Sequence, residues 1–230
     1  MTNRKVFSRA LLYALALLIV FSLPVSDPLT EGASIVEAGK RAAANSWPAE
    51  GRYKISAGQS RFIVRAFASG LLSALAHDHT ISIRDFTGEA RFTYVTIEPA
   101  SLQLTIKSDS LAVTDKVSDS DRKKIEDTMR GEVLEADKYP EIIFKSTSVT
   151  ASRIDEGKYQ AKISGDLTLH GTTRNVTFDA SVTFYEASLR TQGQFSLKQS
   201  DYGIKPVSVA GGTIKVKNEL KLSFDIVANR

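Results

Sequence analysis

Most of this chain alternates. In Tyr159, Ala161, Ile163, Gly165, Leu167 and Leu169 every second residue is non-polar, while the intervening Gln160, Lys162, Ser164, Asp166, Thr168 and His170 are polar. A period of two is the pattern of a β-strand with one buried and one wet face. The same pattern returns in Val176, Phe178, Ala180, Val182 and Phe184, set against Asn175, Thr177, Asp179, Ser181 and Thr183. It returns again in Ile214, Val216, Leu220, Leu222, Phe224 and Ile226, set against Lys215, Lys217, Glu219, Lys221, Ser223 and Asp225. Further candidates at 61–68, 80–83 running on to 88–94, 102–108, 141–150 and 192–199 bring the count to about eight strands. Parallel strands read as continuous apolar runs with helices between them, so one-sided alternation with short turns predicts an antiparallel sheet. His170-Gly171-Thr172-Thr173 and Asp155-Glu156-Gly157 fit hairpin turns, and Gly211-Gly212 ahead of the last strand reads as another.

One stretch breaks the pattern. Between 119 and 137, Ile125, Met129, Val133 and Leu134 fall at helical spacing among charged residues, which predicts a single amphipathic helix. Ser118, Asp119 or Ser120 supplies its cap, and Pro140 marks the entry to the next strand. A long antiparallel sheet with one apolar face can stack as a sandwich or close on itself, and closure removes both exposed edges. The expected fold is therefore all-β: an eight-stranded antiparallel barrel with one amphipathic helix packed alongside. Alternation turns inward Phe62, Val64, Ile81, Ile83, Phe92, Leu104, Ile106, Phe144, Ile163, Leu167, Phe178, Val182, Phe195, Leu220, Leu222 and Phe224, together with Leu102, Ile142 and Val216. These residues suffice to line an apolar tunnel or to fill a packed interior, and alternation does not choose between the two.

The first residues are of another kind. Arg4, Lys5 and Arg9 stand without an acid ahead of the apolar run from Ala10 to Phe21, the charged and apolar regions of a secretory signal peptide over 1–25. The apolar run falls short of the roughly 20 residues that span a bilayer. Val20-Phe21-Ser22 and Val36-Glu37-Ala38 are both cleavage candidates. Residues 26–51, rich in Ala, Ser, Glu and Gly and with Trp47 as their one large side chain, read as a linker, and 52–230 as the barrel domain. The expected location is periplasmic or secreted, and such a leader brings the chain close to a membrane.

Composition narrows the chemistry. The chain has no Cys, which excludes disulfides, thiolate metal sites and a cysteine nucleophile. The formal charge of +4 falls to +1 once Arg4, Lys5 and Arg9 are set aside, so the body of the chain carries no electrostatic footprint for nucleic acid. The three His are His77, His79 and His170. Two imidazoles at i and i+2 of an extended segment point to one side, and with His170 they could offer three ligands to a metal in a metal-dependent enzyme or redox accessory site. The competing reading has Asp78 and the imidazoles hydrogen-bonding backbone groups to fix loops. By strand phase His170 shares the wet face with Lys162, Asp166 and Thr168. Ser73 ahead of His77 and Asp78 supplies the residue types of a hydrolase without a recognisable elbow, so no catalytic residue and no cofactor is assigned.

Ordered segments then carry a resemblance. Tyr53-Lys54-Ile55 with Ser60-Arg61-Phe62, Asp85-Phe86-Thr87-Gly88, the run Asp137-Lys138-Tyr139-Pro140-Glu141-Ile142-Ile143-Phe144-Lys145-Ser146, the run Gly165-Asp166-Leu167-Thr168-Leu169-His170-Gly171-Thr172-Thr173-Arg174, and Ser200-Asp201-Tyr202-Gly203-Ile204 together resemble the YceI-like family. The resemblance implies a lipocalin-like eight-stranded barrel with a helix beside it, exported to the periplasm. It also implies a polyisoprenoid, lipid or similar long-chain amphiphile in the lumen, held for transport, storage or sequestration, with the inward residues named above as its wall. One segment departs from the family pattern: Gly70-Leu71-Leu72-Ser73-Ala74-Leu75-Ala76-His77-Asp78-His79-Thr80 stands where the family has an apolar or mixed connection.

Overall fold

The computed structural model describes residues 50–75, 77–93 and 100–230. The leader at 1–25, Trp47 and nearly all of the linker lie outside them. The first strand begins at Glu50, two residues inside the expected linker.

The described strands run as β1 (Glu50–Ile55), β2 (Arg61–Ser69), β3 (His79–Ile83), β4 (Phe86–Thr93), β5 (Ala100–Lys107), β6 (Leu111–Val113), β7 (Glu141–Asp155), β8 (Lys158–Leu169), β9 (Thr172–Phe184), β10 (Ser188–Lys198), β11 (Ser208–Val209) and β12 (Ile214–Asn229). All pairings are antiparallel. The order β1-β4-β5-β7-β8-β9-β10-β12 returns to β1 through Lys54↔Asn229 and Ile55↔Ala228, which closes an eight-membered ring. β2, β3 and β6 continue from β12 beyond the closure.

The sequence expectation of eight strands holds because three of the eight are bent. β1 and β2 both lie along β12, β3 pairs with β2 while β4 pairs with β1, and β6 pairs with β3 while β5 pairs with β4. Each pair is thus one strand broken at a kink, at 56–60, 84–85 and 108–110. The expected run from 80 to 94 is accordingly two segments, broken at Arg84-Asp85. The kinks sit side by side and satisfy one another's polar groups, as buried backbone requires. Ser56 N–H donates to Val227 O at 2.9 Å, Val227 N–H donates to Ser60 Oγ at 2.9 Å, and Lys107 N–H donates to Asp85 O at 3.0 Å. Ser108 is buried and donates its hydroxyl to Tyr139 O at 2.7 Å.

β6 would leave an open edge where β7 does not reach it. The helix α1 (Asp119–Thr128) covers that edge. Glu126 Oε1 accepts from Val113 N–H at 2.9 Å, and Arg122 donates to Val113 O and, at 3.0 Å, to Asp115 O. A sheet edge is thus capped by helix side chains instead of another strand. Of the three cap candidates Ser118 is the one used, its Oγ accepting from Asp121 N–H at 3.1 Å. The expected helix to 137 is shorter in the structure: α-geometry ends at Thr128, and Met129–Val133 widens into a π-turn in which Leu134 N–H reaches Met129 O at 2.9 Å. Gly131 inside this turn lowers the helical preference there.

The turns follow the sequence. His170 (φ 51°) and Gly171 (φ 71°) join β8 to β9 as a two-residue turn with both residues left-handed, the type that matches strand twist. Gly157 (φ 66°) turns β7 into β8, and Ala210–Gly212 turns β11 into β12.

On the outer wall Arg190 clamps Asp225 in a bidentate pair, Nε to Oδ1 at 2.6 Å and Nη2 to Oδ2 at 2.5 Å, and Gln192 Nε2 adds a third donor at 3.0 Å. The Arg190 bond holds the Asp225 carboxyl below its ordinary 3.8. A lowered carboxylate pKa stabilises the fold above the unfolded value and loses that contribution as pH falls through the folded one. Arg190→Gln is therefore expected to lower stability by a constant amount above about pH 4, with the gap to the parent closing in acid; urea melts from pH 2 to 7 measure it.

Candidate functional site

The inward faces of the ring do not fill it. A cavity of about 170 Å³ runs inside the barrel, lined by Phe62, Val64, Ile83, Leu104, Ile106, Phe144, Ile163, Leu167, Phe178, Phe195, Leu220, Leu222 and Phe224 from the expected set, with Leu102 and Ile142. Phe92 and Val182 line a second, smaller cavity of about 80 Å³. Ala90, Leu102, Ile163, Leu189 and Thr191 face both, so the two chambers share a wall. Ile81 lines neither chamber, a correction to its place in the expected wall. It is buried on β3, within the extension beyond the closed ring, where it opposes Val64 and Val113. Val216 packs half-buried against the core without reaching either chamber.

Five phenyl rings crowd the middle of the larger chamber. Phe178 stacks on Phe195 at 4.9 Å and meets Phe224 edge-on at 5.6 Å, Phe144 lies 5.7 Å from Phe178, and Phe62 meets Phe224 at 6.1 Å. Space for them comes from glycine on the neighbouring strands. A Cβ on Gly193 would lie 2.5 Å from Phe224 Cζ and 2.8 Å from Asp179 O, and one on Gly165 would strike Phe144.

The lining is close to purely apolar. Thr191 and Gln199 are its polar members, and the Gln199 amide is spent on Lys217 O at 2.9 Å. Among the described residues no titratable side chain faces the larger chamber. Such a surface offers dispersion and exclusion of water, and nothing with which to hold or move a proton.

One end of the chamber is closed by the chain that leaves α1. Val133 and Leu134 point into the lumen, and Glu135 (φ 45°) then turns the chain away. Glu135 Oε2 lies 2.5 Å from His170 Nε2, His170 Nδ1 lies 3.3 Å from Tyr202 O, and the imidazole packs 4.6 Å from the Tyr139 ring. A Cβ on Gly171 would strike the same Tyr139 ring, so the turn and the tyrosine are fitted to each other. This cluster clasps the cap to the β8–β9 turn and to the buried Tyr202, whose burial pushes its phenol up from 10.0. Strand phase alone places His170 on the wet face. Its left-handed backbone at the turn breaks that phase and brings the ring inward, to 14% side-chain exposure.

The remaining candidates do not assemble. His79 Nδ1 pairs with Asp115 Oδ2 at 2.9 Å, Asp115 Oδ1 accepts from Thr80 N–H, and Asp78 Oδ1 accepts from Ala68 N–H at 3.0 Å. His77 is exposed, and Ser73 begins a short 3-10 turn. Among the described residues no group of three or more His, Cys, Asp or Glu is arranged to hold a metal ion. The structure thus places His79 and His170 in two separate loop-fixing arrangements.

Several wall residues escaped the alternation. Leu189 and Thr191 lie on the first half of β10, where Thr191 and Gly193 occupy inward positions and blur the apolar period. Val149 and Ala151 were lost to a bulge between Ser146 and Ser148, which shifts β7 by one residue and so reverses the face of everything after it. Val133 and Leu134 fit the helical period, which gives no sign that they face the lumen.

A closed up-and-down barrel with an apolar chambered lumen under a short helical cap belongs to the lipocalin-like class of folds. Residues 53–228 match the YceI-like domain, and the chain belongs to the YceI-like family. It is 32% identical over 96 residues to a UPF0312 protein of Vibrio parahaemolyticus, covering 41% of this chain and 45% of that one. It is 30% identical over 100 residues to a UPF0312 protein of Pseudomonas putida, covering 44% and 47%. The chain thus spans about half the length of the curated relatives it matches. Among solved structures it resembles Burkholderia cenocepacia BcnA, with a TM-score of 0.58 at 18% identity over 75% of this chain and 98% of that one. It also resembles a polyisoprenoid-binding domain from Saccharophagus degradans, with a TM-score of 0.55 at 14% identity over 77% and 97%.

Two outcomes follow from this geometry. Gly193→Ala should cost about 1–3 kcal/mol in urea denaturation, because one contact is with a ring and the other with backbone. His170→Ala should leave the barrel folded while loosening its cap, seen as faster amide exchange at Leu134 and Ala136 than at strand amides of β8 and β9.

Proposed function

We propose that this protein is a non-catalytic carrier that holds a long apolar ligand, a polyisoprenoid or similar lipid, in the barrel lumen. The observation that carries this reading is the almost entirely apolar chamber under a clasped cap, which a packed structural barrel has no need to keep. An empty void of this size forfeits on the order of 4 kcal/mol of packing at about 24 cal/mol per Å³, which an apolar occupant restores. In the described conformation the larger chamber is about the size of a cavity that takes a benzene ring. An elongated ligand therefore threads through both chambers across Ala90, Leu102 and Ile163, or displaces phenyl rings of the lining. Each methylene moved from water adds about 0.8 kcal/mol, enough for micromolar affinity after the cost of association. The polyisoprenoid-binding description of the Saccharophagus degradans domain supports this ligand class. The charged and apolar leader at the N-terminus supports export to the periplasm, where a carrier would take its cargo from a membrane.

The test is extraction and mass spectrometry of whatever co-purifies with the chain from its exported fraction, backed by titration with a fluorescent long-chain probe. One lipid per chain is the expected result. A bare chain that leaves the probe in water would sink the proposal. Thr191→Trp, placed in the wall common to the two chambers, should lower probe affinity at least tenfold while keeping the circular-dichroism spectrum of the parent.

A further inference from the structure

One end of the barrel gathers exposed apolar side chains beside cations. β2 ends, β3 and β12 begin, and the β8–β9 turn lies at the same end of the barrel as the cap. There the loop after β2 rests on the β11–β12 hairpin, with Leu72 N–H donating to Thr213 O at 3.0 Å. Three large apolar side chains stand out from these two loops: Leu71 at 88% exposure, Val209 at 51% and Leu72 at 41%.

Beside them lies a cluster of cations. The Phe67 ring on the outer face of β2 has Arg65 at 5.2 Å, Lys221 at 5.7 Å and Lys217 at 5.8 Å from its centroid. Lys215 opposes Ser69 and Ser208 in register, and Lys205 is exposed on the approach to β11. None of these five takes part in an ion pair of 4.0 Å or less among the described residues. Of the carboxylates on the neighbouring elements, Asp78 accepts from Ala68 N–H and Asp115 holds His79, while Glu219 stands exposed between Lys217 and Lys221, one negative charge among the five cations. Three positive charges gathered around one ring repel one another, and an apolar tip beside them is unfavourable in water.

We propose that this end of the barrel docks on an anionic lipid bilayer, Leu71, Leu72 and Val209 entering the headgroup boundary while Arg65, Lys205, Lys215, Lys217 and Lys221 meet the lipid phosphates. Apolar side chains flanked by Lys and Arg are the chemistry of interfacial binding, the aliphatic stems of the cations adding to the apolar contact. The opposite end of the barrel serves as a contrast. It exposes Ile154 and Tyr185, but among Arg153, Asp155, Glu156, Lys158 and Glu186, with Lys158 and Asp155 paired at 3.2 Å, a mixed field that does not favour an anionic surface. Docking by the capped end sets the lumen's cap against the bilayer. As a loading step this rests on the proposed carrier role, whereas the docking itself does not.

The chain has no Cys, so Leu71→Cys accepts a single environment-sensitive dye, and Ile154→Cys accepts it at the far end. Each labelled full-length chain is titrated with vesicles of phosphatidylcholine alone or with added phosphatidylglycerol. The dye at 71 should shift to the blue on the anionic vesicles only, and the dye at 154 should stay unshifted on both. The shift should vanish at about 1 M salt, where the screening length is about 3 Å. Joint Lys215→Gln, Lys217→Gln and Lys221→Gln should raise the vesicle concentration at half-shift at least tenfold. No shift at 71, an equal shift at 154, an equal shift on neutral vesicles or indifference to salt would each overturn the proposal. Because the dyes report locally, insertion of the N-terminal apolar run cannot imitate the expected result. Probe binding in vesicle-free solution is read separately, so a chain that docks without binding the probe refutes the carrier alone, and one that binds the probe without docking refutes the surface alone.

Discussion

β12 holds the barrel shut. It is the one strand that pairs on both sides of the seam, with β10 along its whole described pairing and with β1 and β2 in succession along its other edge. Succession requires the first strand to bend, since β1 must turn to meet β4 while β2 stays beside β12. The Ser60 hydroxyl makes the bend tolerable by accepting from Val227 N–H at the point where backbone pairing lapses. Once the first strand bends, the next two must bend beside it. The splayed half needs its edge covered, which places α1, and the chain leaving α1 falls across the end of the lumen.

The same closure explains why the interior is partly empty. A ring of eight strands has an interior that side chains can fill, or that can hold one small ligand. Here the wall combines large rings with Gly165 and Gly193, and the phenyl groups that meet one another also lie against the backbone at those glycines. The void that remains is bounded by aromatic and branched aliphatic groups that adjust by rotation, without breaking the backbone ladder. Among the described residues its lining carries no ionisable group, so occupancy is governed chiefly by shape and transfer from water.

The outside wall is chemically separate from the lumen. At several places its carboxylates and bases are paired across strands, as at Arg190 and Asp225 or Lys107 and Glu141. No such pair holds Arg65, Lys217 or Lys221 around Phe67, among the described residues, at the end where the cap also lies. The lumen's chemistry and the outer surface's asymmetry thus meet at one end of the molecule.

By itself the sequence determined the strand type, the strand count, the hairpins at His170-Gly171 and Gly157, and most of the chamber wall. These depend on a period of two and on local turn chemistry, both written in consecutive residues. The bulge in β12 was harmless to that reading because it sets four steps of β12 against two of β2, which preserves the inward phase. The bulge in β7 adds one residue and hid Val149 and Ala151. Tertiary structure alone decided the kinks, the inward turn of His170 onto Glu135, the π-turn that delivers Val133 and Leu134 to the lumen, and the resting of the loop at Leu72 on the β11–β12 hairpin. Each of these depends on a partner distant in sequence, and no periodicity in a single strand encodes where such a partner will stand.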